Sequence, residues 1–230
     1  MSVLELEAAR SEAEHLPRAA LSLSLSPGDF AVIETLGPRR GAAFAGLCSG
    51  LAPLVAGRVR FLGRDWAAMP AEHADALRGQ IGRLFHAPLR DDTPDVAERV
   101  ILKRLHHTLL PREAVLDEAA RLARRFGLPG LPIGPARVMN EFDLLRAAFV
   151  RAFLGQPRLL LLELSPLAQD AAMIETLLSV GAEARGEGAC VVWLAVGGQQ
   201  LRGRSIRPTH RLRLGDAGLT AVSRPVAVPA

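Results

Sequence analysis

Two short apolar runs in the last third of the chain constrain the fold most strongly. They cover Arg158–Leu164 and Ala189–Val196. Each has the length of a strand, and neither shows the alternation of apolar and polar residues that a strand with one solvated face needs. Such strands are typical of a parallel sheet that helices cover on both faces. Because a helical pattern over Ala168–Glu183 separates them, the sequence predicts a β-α-β unit and an α/β fold.

The first part of the chain carries strand patterns separated by turns. Leu21–Ser26 alternates Leu and Ser, which predicts a half-buried strand, and Pro27-Gly28-Asp29 predicts a turn before a strand at Phe30–Glu34. Further elements are expected as a loop over Thr35–Gly41, a buried helix over Ala42–Leu51, a strand over Val59–Leu62, a helix over Ala71–Arg78 and a strand over Ile81–Phe85.

The middle of the chain is helical. Asp95–His107 and Arg112–Phe126 place apolar residues at helical spacing, and a third helix is expected over Glu141–Leu154 with Gly155 as its cap. The last predicted element is a β-hairpin over Arg211–Val222, which follows the β-α-β unit. We therefore predict one domain, 1–230, with an α/β core formed by 1–91 and 156–230 and a helical subdomain over 92–155.

Composition excludes several functions. The pI is about 10.2, but the net charge is only +4 and basic and acidic residues are interleaved. Because Tyr is absent and aromatic residues make up 4% of the chain, we predict no nucleic-acid partner. No apolar stretch is long enough to cross a membrane, and the acidic N-terminus is unlike a signal peptide. Cys48 and Cys190 lie in apolar segments as expected for buried thiols, and no metal site is predicted.

Several strings resemble the nucleotide-binding subunits of ABC transporters. Arg151–Leu162 resembles the end of the signature helix running into the Walker B strand, and Ser26–Ile33 resembles the strand before the phosphate loop. Leu77–Phe85 resembles the approach to the Q-loop. The resemblance covers about residues 20–220. It implies a P-loop NTPase-like ABC ATPase core with a mostly parallel central sheet, N-terminal antiparallel strands and a helical subdomain. Gly63–Trp66 and the His106–Thr108 region look most like lipid-trafficking (Mla-type) transporter subunits.

The phosphate loop of this family needs a lysine for the phosphates and a hydroxyl for Mg²⁺. An ungapped alignment from Gly50 places the lysine at Gly41 and the hydroxyl at Ala42; a shifted one places them at Ala43 and Phe44. Lys103 is the one lysine of the chain, so no lysine precedes it. The positions that correspond to the nucleotide site are Gly37, Arg39, Arg40, Gly41 and Ala42. Arg39 and Arg40 could attract an anion, although a guanidinium does not replace a compact ammonium.

The other site positions are altered too. Glu163 holds the Walker B aspartate position and could still bind a metal, whereas Leu164 holds the catalytic glutamate position and cannot act as a base. Val196 aligns with the switch histidine. His86 aligns with the Q-loop glutamine, where it contacts a partner or is an ordinary loop residue.

The signature loop aligns with Met139, Asn140, Glu141, Phe142 and Asp143. The glycines that let a γ-phosphate approach the helix are absent. Asn140 is expected to cap the helix, and Glu141 and Asp143 to satisfy the helix dipole and repel phosphate.

The resemblance thus implies a degenerate, non-hydrolysing subunit with no catalytic residue and no cofactor. Its expected partners are a membrane permease and a second ABC subunit, in a homodimer or heterodimer. Its expected location is cytoplasmic, peripheral on the inner face of the cell membrane, with lipid as a candidate cargo. Two alternatives stay open: a weak or atypical ATPase that would use ATP and Mg²⁺, and a soluble regulator that binds another anionic ligand.

Overall fold

The computed structural model describes residues 1–86, 94–164, 170–197 and 207–222, and these form ten strands and six α-helices. The strands are β1 Leu4–Arg10, β2 Leu21–Leu25, β3 Phe30–Thr35, β4 Ala56–Phe61, β5 Arg64–Asp65, β6 Ile81–Leu84, β7 Leu159–Glu163, β8 Cys190–Val196, β9 His210–Gly215 and β10 Gly218–Ala221. The helices are α1 Pro38–Cys48, α2 Ala71–Arg78, α3 Val96–His106, α4 Arg112–Arg125, α5 Glu141–Phe153 and α6 Ala171–Gly186.

The strands form two sheets. The larger has the order β10-β9-β3-β8-β7-β6, and the smaller has the order β2-β1-β4-β5. Pairing in the larger sheet is parallel except for the β9–β10 hairpin, and the smaller sheet is antiparallel. The two apolar runs form β7 and β8, which are neighbours. The predicted α/β fold, with a mostly parallel central sheet and N-terminal antiparallel strands, is confirmed.

The central sheet separates two apolar cores because successive side chains of a strand point to opposite faces. In β7, Leu159 and Leu161 belong to the core that includes α1 and the antiparallel sheet. Leu160 and Leu162 belong to the core that the helices α3–α6 complete. Both faces of the strand are therefore buried, which explains why its sequence does not alternate. The thiols Cys48 and Cys190 are buried and free, as predicted.

Helices α1 and α6 depart most from their predicted bounds; α1 ends at Cys48 rather than Leu51, and α6 ends at Gly186 rather than Glu183. Helix α1 begins at Pro38, not at Ala42, so most of the predicted loop is helical. Proline suits the first helical position, because its φ is already helical and no N–H is needed there. Helix α6 begins at Ala171 with Asp170 as its N-cap; the predicted starting residues 168 and 169 lie outside the described residues.

Strand β1 was not predicted. It lies between β2 and β4 and pairs with both. Its Leu4 and Leu6 are buried, whereas Glu5 and Glu7 both bind Arg60 of β4. The acidic character of this segment hides a strand whose apolar residues alternate with the acids.

Helix α5 lies directly against the edge strand β6. A Cβ atom on Gly82 would lie 1.9 Å from the backbone oxygen of Ala152, so only glycine fits there. This contact holds the α3–α5 helices beside the end of the sheet. No helix in the described part of the chain is both long and apolar enough to span a bilayer.

Candidate functional site

The turn between β3 and α1 holds the residues that align with a phosphate loop. Only Leu36 and Gly37 separate Thr35, the last residue of β3, from Pro38. Gly37 is extended, with φ −179° and ψ 167°. None of residues 35–42, all of which the structure describes, has a positive φ. A nest of backbone N–H groups around an anion requires left-handed residues, so the turn does not form one.

The side chains of this turn contact the protein itself. Arg40 lies in the first turn of α1, and its Nη2 donates to Oδ1 of Asp216 in the β9–β10 turn at 2.7 Å. The hydroxyl of Thr35 donates to the oxygen of Gly37 at 3.2 Å. Gly41 and Ala42 supply no ammonium and no hydroxyl. Arg39 is exposed and is the side chain of this turn that best retains access to a dissolved anion.

Glu163 lies at the carboxyl end of β7 and is 4% exposed. Its Oε1 accepts a hydrogen bond of 2.6 Å from Nε of Arg83 on the neighbouring strand β6. The Nη2 of Arg83 donates to the backbone oxygen of Ala42 in α1 at 3.0 Å. One guanidinium therefore joins the Walker B position to the phosphate-loop position. We call this arrangement the Arg83 bridge.

The electrostatics of the bridge follow from its burial. Burial raises the pKa of Glu163, and the charge and hydrogen bond of Arg83 oppose that rise. A divalent cation at Glu163 would have to displace the guanidinium from the same carboxylate. In the described ranges, no cluster of three or more His, Cys, Asp or Glu side chains could hold a metal. The residues present at this edge of the sheet therefore do not fit Mg²⁺.

His86 and Leu164 meet beside the bridge. Nδ1 of His86 lies 3.1 Å from the backbone oxygen of Leu164. Because a carbonyl oxygen only accepts, Nδ1 carries the hydrogen in this contact. The side chain of Leu164 is fully buried. Val196 ends β8, opposite Thr35 in the parallel register.

The signature-equivalent residues lie at the start of α5. Asn140 is the N-cap, as predicted: its Oδ1 accepts from the backbone N–H of Asp143 at 2.8 Å. Asp143 also binds Arg146 one turn further on, at 3.1 Å. Glu141 and Asp143 occupy the first turn, where their charges favour the helix and disfavour an approaching phosphate. Phe142 is 48% exposed.

The structure joins Glu163 and Ala42, which align with the Walker B and phosphate-loop positions, through a residue that the sequence analysis did not single out. Arg83 is the one charged residue of β6, and a lone charge in a short apolar strand was the available signal. Asp216, the partner of Arg40, gave no signal because it occupies an ordinary hairpin turn.

Comparison with known proteins relates this geometry to a fold. No protein-family model matches the sequence, and no curated protein matches it. Among solved structures, an ATP-binding subunit of an ABC transporter superposes with a TM-score of 0.77 at 16% identity, covering 96% of this chain and 89% of that one. A dimeric bacterial ABC transporter cassette superposes with a TM-score of 0.78 at 16% identity, covering 94% and 96%.

A third solved structure agrees with these two. CbiO1 from Clostridium perfringens, part of the ABC transporter complex CbiONQ, gives a TM-score of 0.71 at 14% identity and covers 95% of this chain and 87% of that one. All three superpositions extend over nearly the whole chain, although few residues are identical. The chain therefore has the fold of the ATP-binding subunits of ABC transporters.

Proposed function

We propose that this chain is a non-hydrolysing ABC-type subunit that docks on a membrane permease. The Arg83 bridge is the observation that carries the proposal. A hydrolysing cassette needs Mg²⁺ and phosphate oxygens between its Walker B carboxylate and its phosphate loop. Here a guanidinium joins these two positions, from Glu163 to the oxygen of Ala42. This guanidinium lies where the proposal expects the ligand of a hydrolysing cassette.

The acids at the start of α5 support the same proposal. If two such subunits pair as the resemblance implies, each phosphate loop faces the signature position of its partner. Glu141 and Asp143 would then repel a nucleotide held by either an identical or an intact partner. We propose that the chain pairs with another ABC-type subunit at the inner face of the cell membrane, in a system whose cargo is lipid.

Nucleotide binding tests the first half of the proposal. Mg-ATP that saturates a site at 100 times its Kd stabilises a protein by about 2.7 kcal/mol. We expect no such change in the free energy of urea unfolding at millimolar Mg-ATP, and the same result with ADP. Micromolar affinity for Mg-ATP would refute the proposal.

Membrane recruitment tests the second half. We expect the chain to co-sediment with native membranes from its source, and to lose this binding after protease treatment of those membranes. Vesicles made from the extracted lipids serve as the control. Equal binding to these protein-free vesicles would show that the chain recognises lipid, and would contradict docking on a permease.

The two alternatives have less support at the site. A weak ATPase would depend on Glu163, so Glu163→Gln should reduce any turnover of the purified complex; turnover that does not change removes that role. A regulator that binds an anion would need Arg39 and Arg40 at the turn, but Arg40 is engaged by Asp216. Phosphate binding that is lost in Arg39→Met would favour this alternative.

A further inference from the structure

Strand β6 ends the central sheet, so one of its two edges has no neighbouring strand. Among the described strands it pairs with β7 alone. Such an edge is a template for pairing with another chain unless the fold closes it. We infer that Lys103 of α3 closes this edge and prevents β6 of a second copy from pairing there. The inference does not depend on the proposed docking function.

The hydrogen bonds show which backbone groups face the open edge. The oxygen of Gln80, just before β6, accepts from the N–H of Arg158 at 2.8 Å and therefore points toward β7. The parallel register pairs Ile81 with Leu159. Because the N–H and C=O groups of successive strand residues point alternately to the two sides, those of Ile81 and Arg83 point away from β7. They form the hydrogen-bonding row of the open edge.

Lys103 reaches this row from α3. Its Nζ donates to the oxygen of Ile81 at 2.9 Å, and that oxygen is an acceptor that an added strand would need. The side chain lies largely out of solvent, and burial together with Arg151 and Arg104 lowers its pKa to about 8. The protonated amine therefore costs the fold some stability. Natural proteins often close strand edges with a lysine at such a cost.

The edge has no tightly packed cover. An open groove of about 490 Å³ lies between β6 and α3, and Ile81 and Arg83 line it together with Lys103. Helix α5 packs on a face of β6, where Gly82 meets the backbone of Ala152, and not along the edge. The Lys103 side chain crosses the groove to the strand. Removing it would therefore leave the Ile81 oxygen open to an incoming strand.

The edge of β6 is complementary to a second copy of itself. Two identical edges can pair antiparallel about a two-fold axis, because each presents the donors and acceptors that the other needs. Ile81 and Leu84 give this four-residue strand apolar side chains that suit such pairing. A second copy would have to displace the Lys103 ammonium from the Ile81 oxygen and remove its remaining water, which is costly for a charged group.

Lys103→Met tests the inference, because methionine keeps a long apolar side chain and removes the charge and the donor. In sedimentation equilibrium of the full chain at pH 7, we expect its dissociation constant for self-association to be at least about tenfold lower than that of the wild type. Lys103→Arg keeps a long cation and should behave as the wild type. Arg124→Met, which removes an exposed charge of α4, is the matched control and should leave self-association unchanged.

Amide hydrogen exchange locates the contact. The N–H groups of Ile81 and Arg83 face the open edge, whereas that of Gly82 faces β7. We expect the first two to exchange at least about tenfold more slowly when Lys103→Met is concentrated enough to associate, because a second strand then protects them. The N–H of Gly82 is the internal reference and should change much less.

Three results would overturn the inference. The first is an equal dissociation constant for Lys103→Met and the wild type. The second is self-association of Arg124→Met or Lys103→Arg as strong as that of Lys103→Met, which would show that net charge or general packing is responsible. The third is association of Lys103→Met without added protection of Ile81 and Arg83, which would place the contact on another face.

Discussion

Arg83 and Lys103 are two largely buried cations near β6, and their partners within the protein differ. Arg83 has a carboxylate partner, Glu163, and donates a further hydrogen bond to Ala42. Lys103 donates to the oxygen of Ile81 and is surrounded by Arg151 and Arg104. The first cation is neutralised by a carboxylate of the fold, whereas the charges that lower the pKa of the second are cationic.

This difference has an energetic basis. When a charged group leaves water it loses hydration free energy. A buried ion pair recovers most of this free energy through Coulomb attraction and hydrogen bonding, whereas a single buried charge recovers little of it. Removing one member of the pair should therefore cost much more stability than removing the unpaired cation. Variants of Arg83 and Lys103 can test this comparison directly.

The largest expected effect comes from Arg83→Met. The substitution leaves Glu163 buried without its cation, and we expect the free energy of urea unfolding at pH 7 to fall by about 3 kcal/mol. Arg64→Met, at an exposed position of β5, should change it by less than about 0.5 kcal/mol. The double variant Arg83→Met/Glu163→Leu should recover most of the loss, because it replaces the whole pair by apolar groups.

The sign of the pH dependence gives a further check on this variant. Burial already raises the pKa of Glu163 in the folded chain, and loss of Arg83 should raise it more. Such a carboxyl opposes folding when the pH is above its folded pKa, and this opposition disappears as the pH falls and the group takes up a proton. The loss of unfolding free energy that Arg83→Met causes should therefore become smaller as the pH is lowered. A deficit that is independent of pH would show that packing, not the unpaired charge, is responsible.

The second effect belongs to Lys103. Its folded pKa of about 8 is below the value of 10.5 for an unperturbed lysine. The protonated group therefore opposes folding below pH 8, and this opposition is lost as the pH rises toward 10.5. Relative to Lys103→Met, the wild-type chain should gain up to about 3 kcal/mol of unfolding free energy over that interval.

Urea unfolding of both chains at pH 7 and pH 10 measures this gain. Other groups that titrate in the interval, including Cys48 and Cys190, are present in both chains and cancel in the difference. The same difference in unfolding free energy at both pH values would show that Lys103 titrates as a solvated lysine. That result would contradict the proposed difference between Lys103 and Arg83.

The smallest expected effect concerns β6, which carries Arg83 and whose Ile81 oxygen accepts a hydrogen bond from Lys103. Gly82→Ala places a methyl group against the backbone oxygen of Ala152, and we expect a loss of about 2 kcal/mol. The matched control is Gly46→Ala in α1, where a Cβ meets nothing within 4 Å and the higher helix propensity of alanine should stabilise the chain by up to about 1 kcal/mol. Chemical denaturation measures both, and a tolerated Gly82→Ala would mean that α5 does not fix β6.

Most of the fold could be predicted from the sequence because the signals are local. The apolar runs of β7 and β8, the Leu-Ser alternation of β2 and the apolar spacing of α3 and α4 each record which faces are buried. The prediction failed where local signals conflict. Glutamates mask the alternation of β1, and Gly37, Pro38 and Gly41 suggested a loop where α1 begins.

The candidate site divides in the same way. The sequence by itself determined which groups are missing. Because the one lysine of the chain is Lys103, no alignment can place a lysine in an early phosphate loop. Leu164 has no group that can accept a proton as a general base. Only the tertiary structure decided what takes their place. The link from Glu163 through Arg83 to Ala42 joins three segments that lie far apart in the sequence. Such contacts depend on strand order and register in a parallel sheet, which connect distant segments and leave no periodic trace in the sequence.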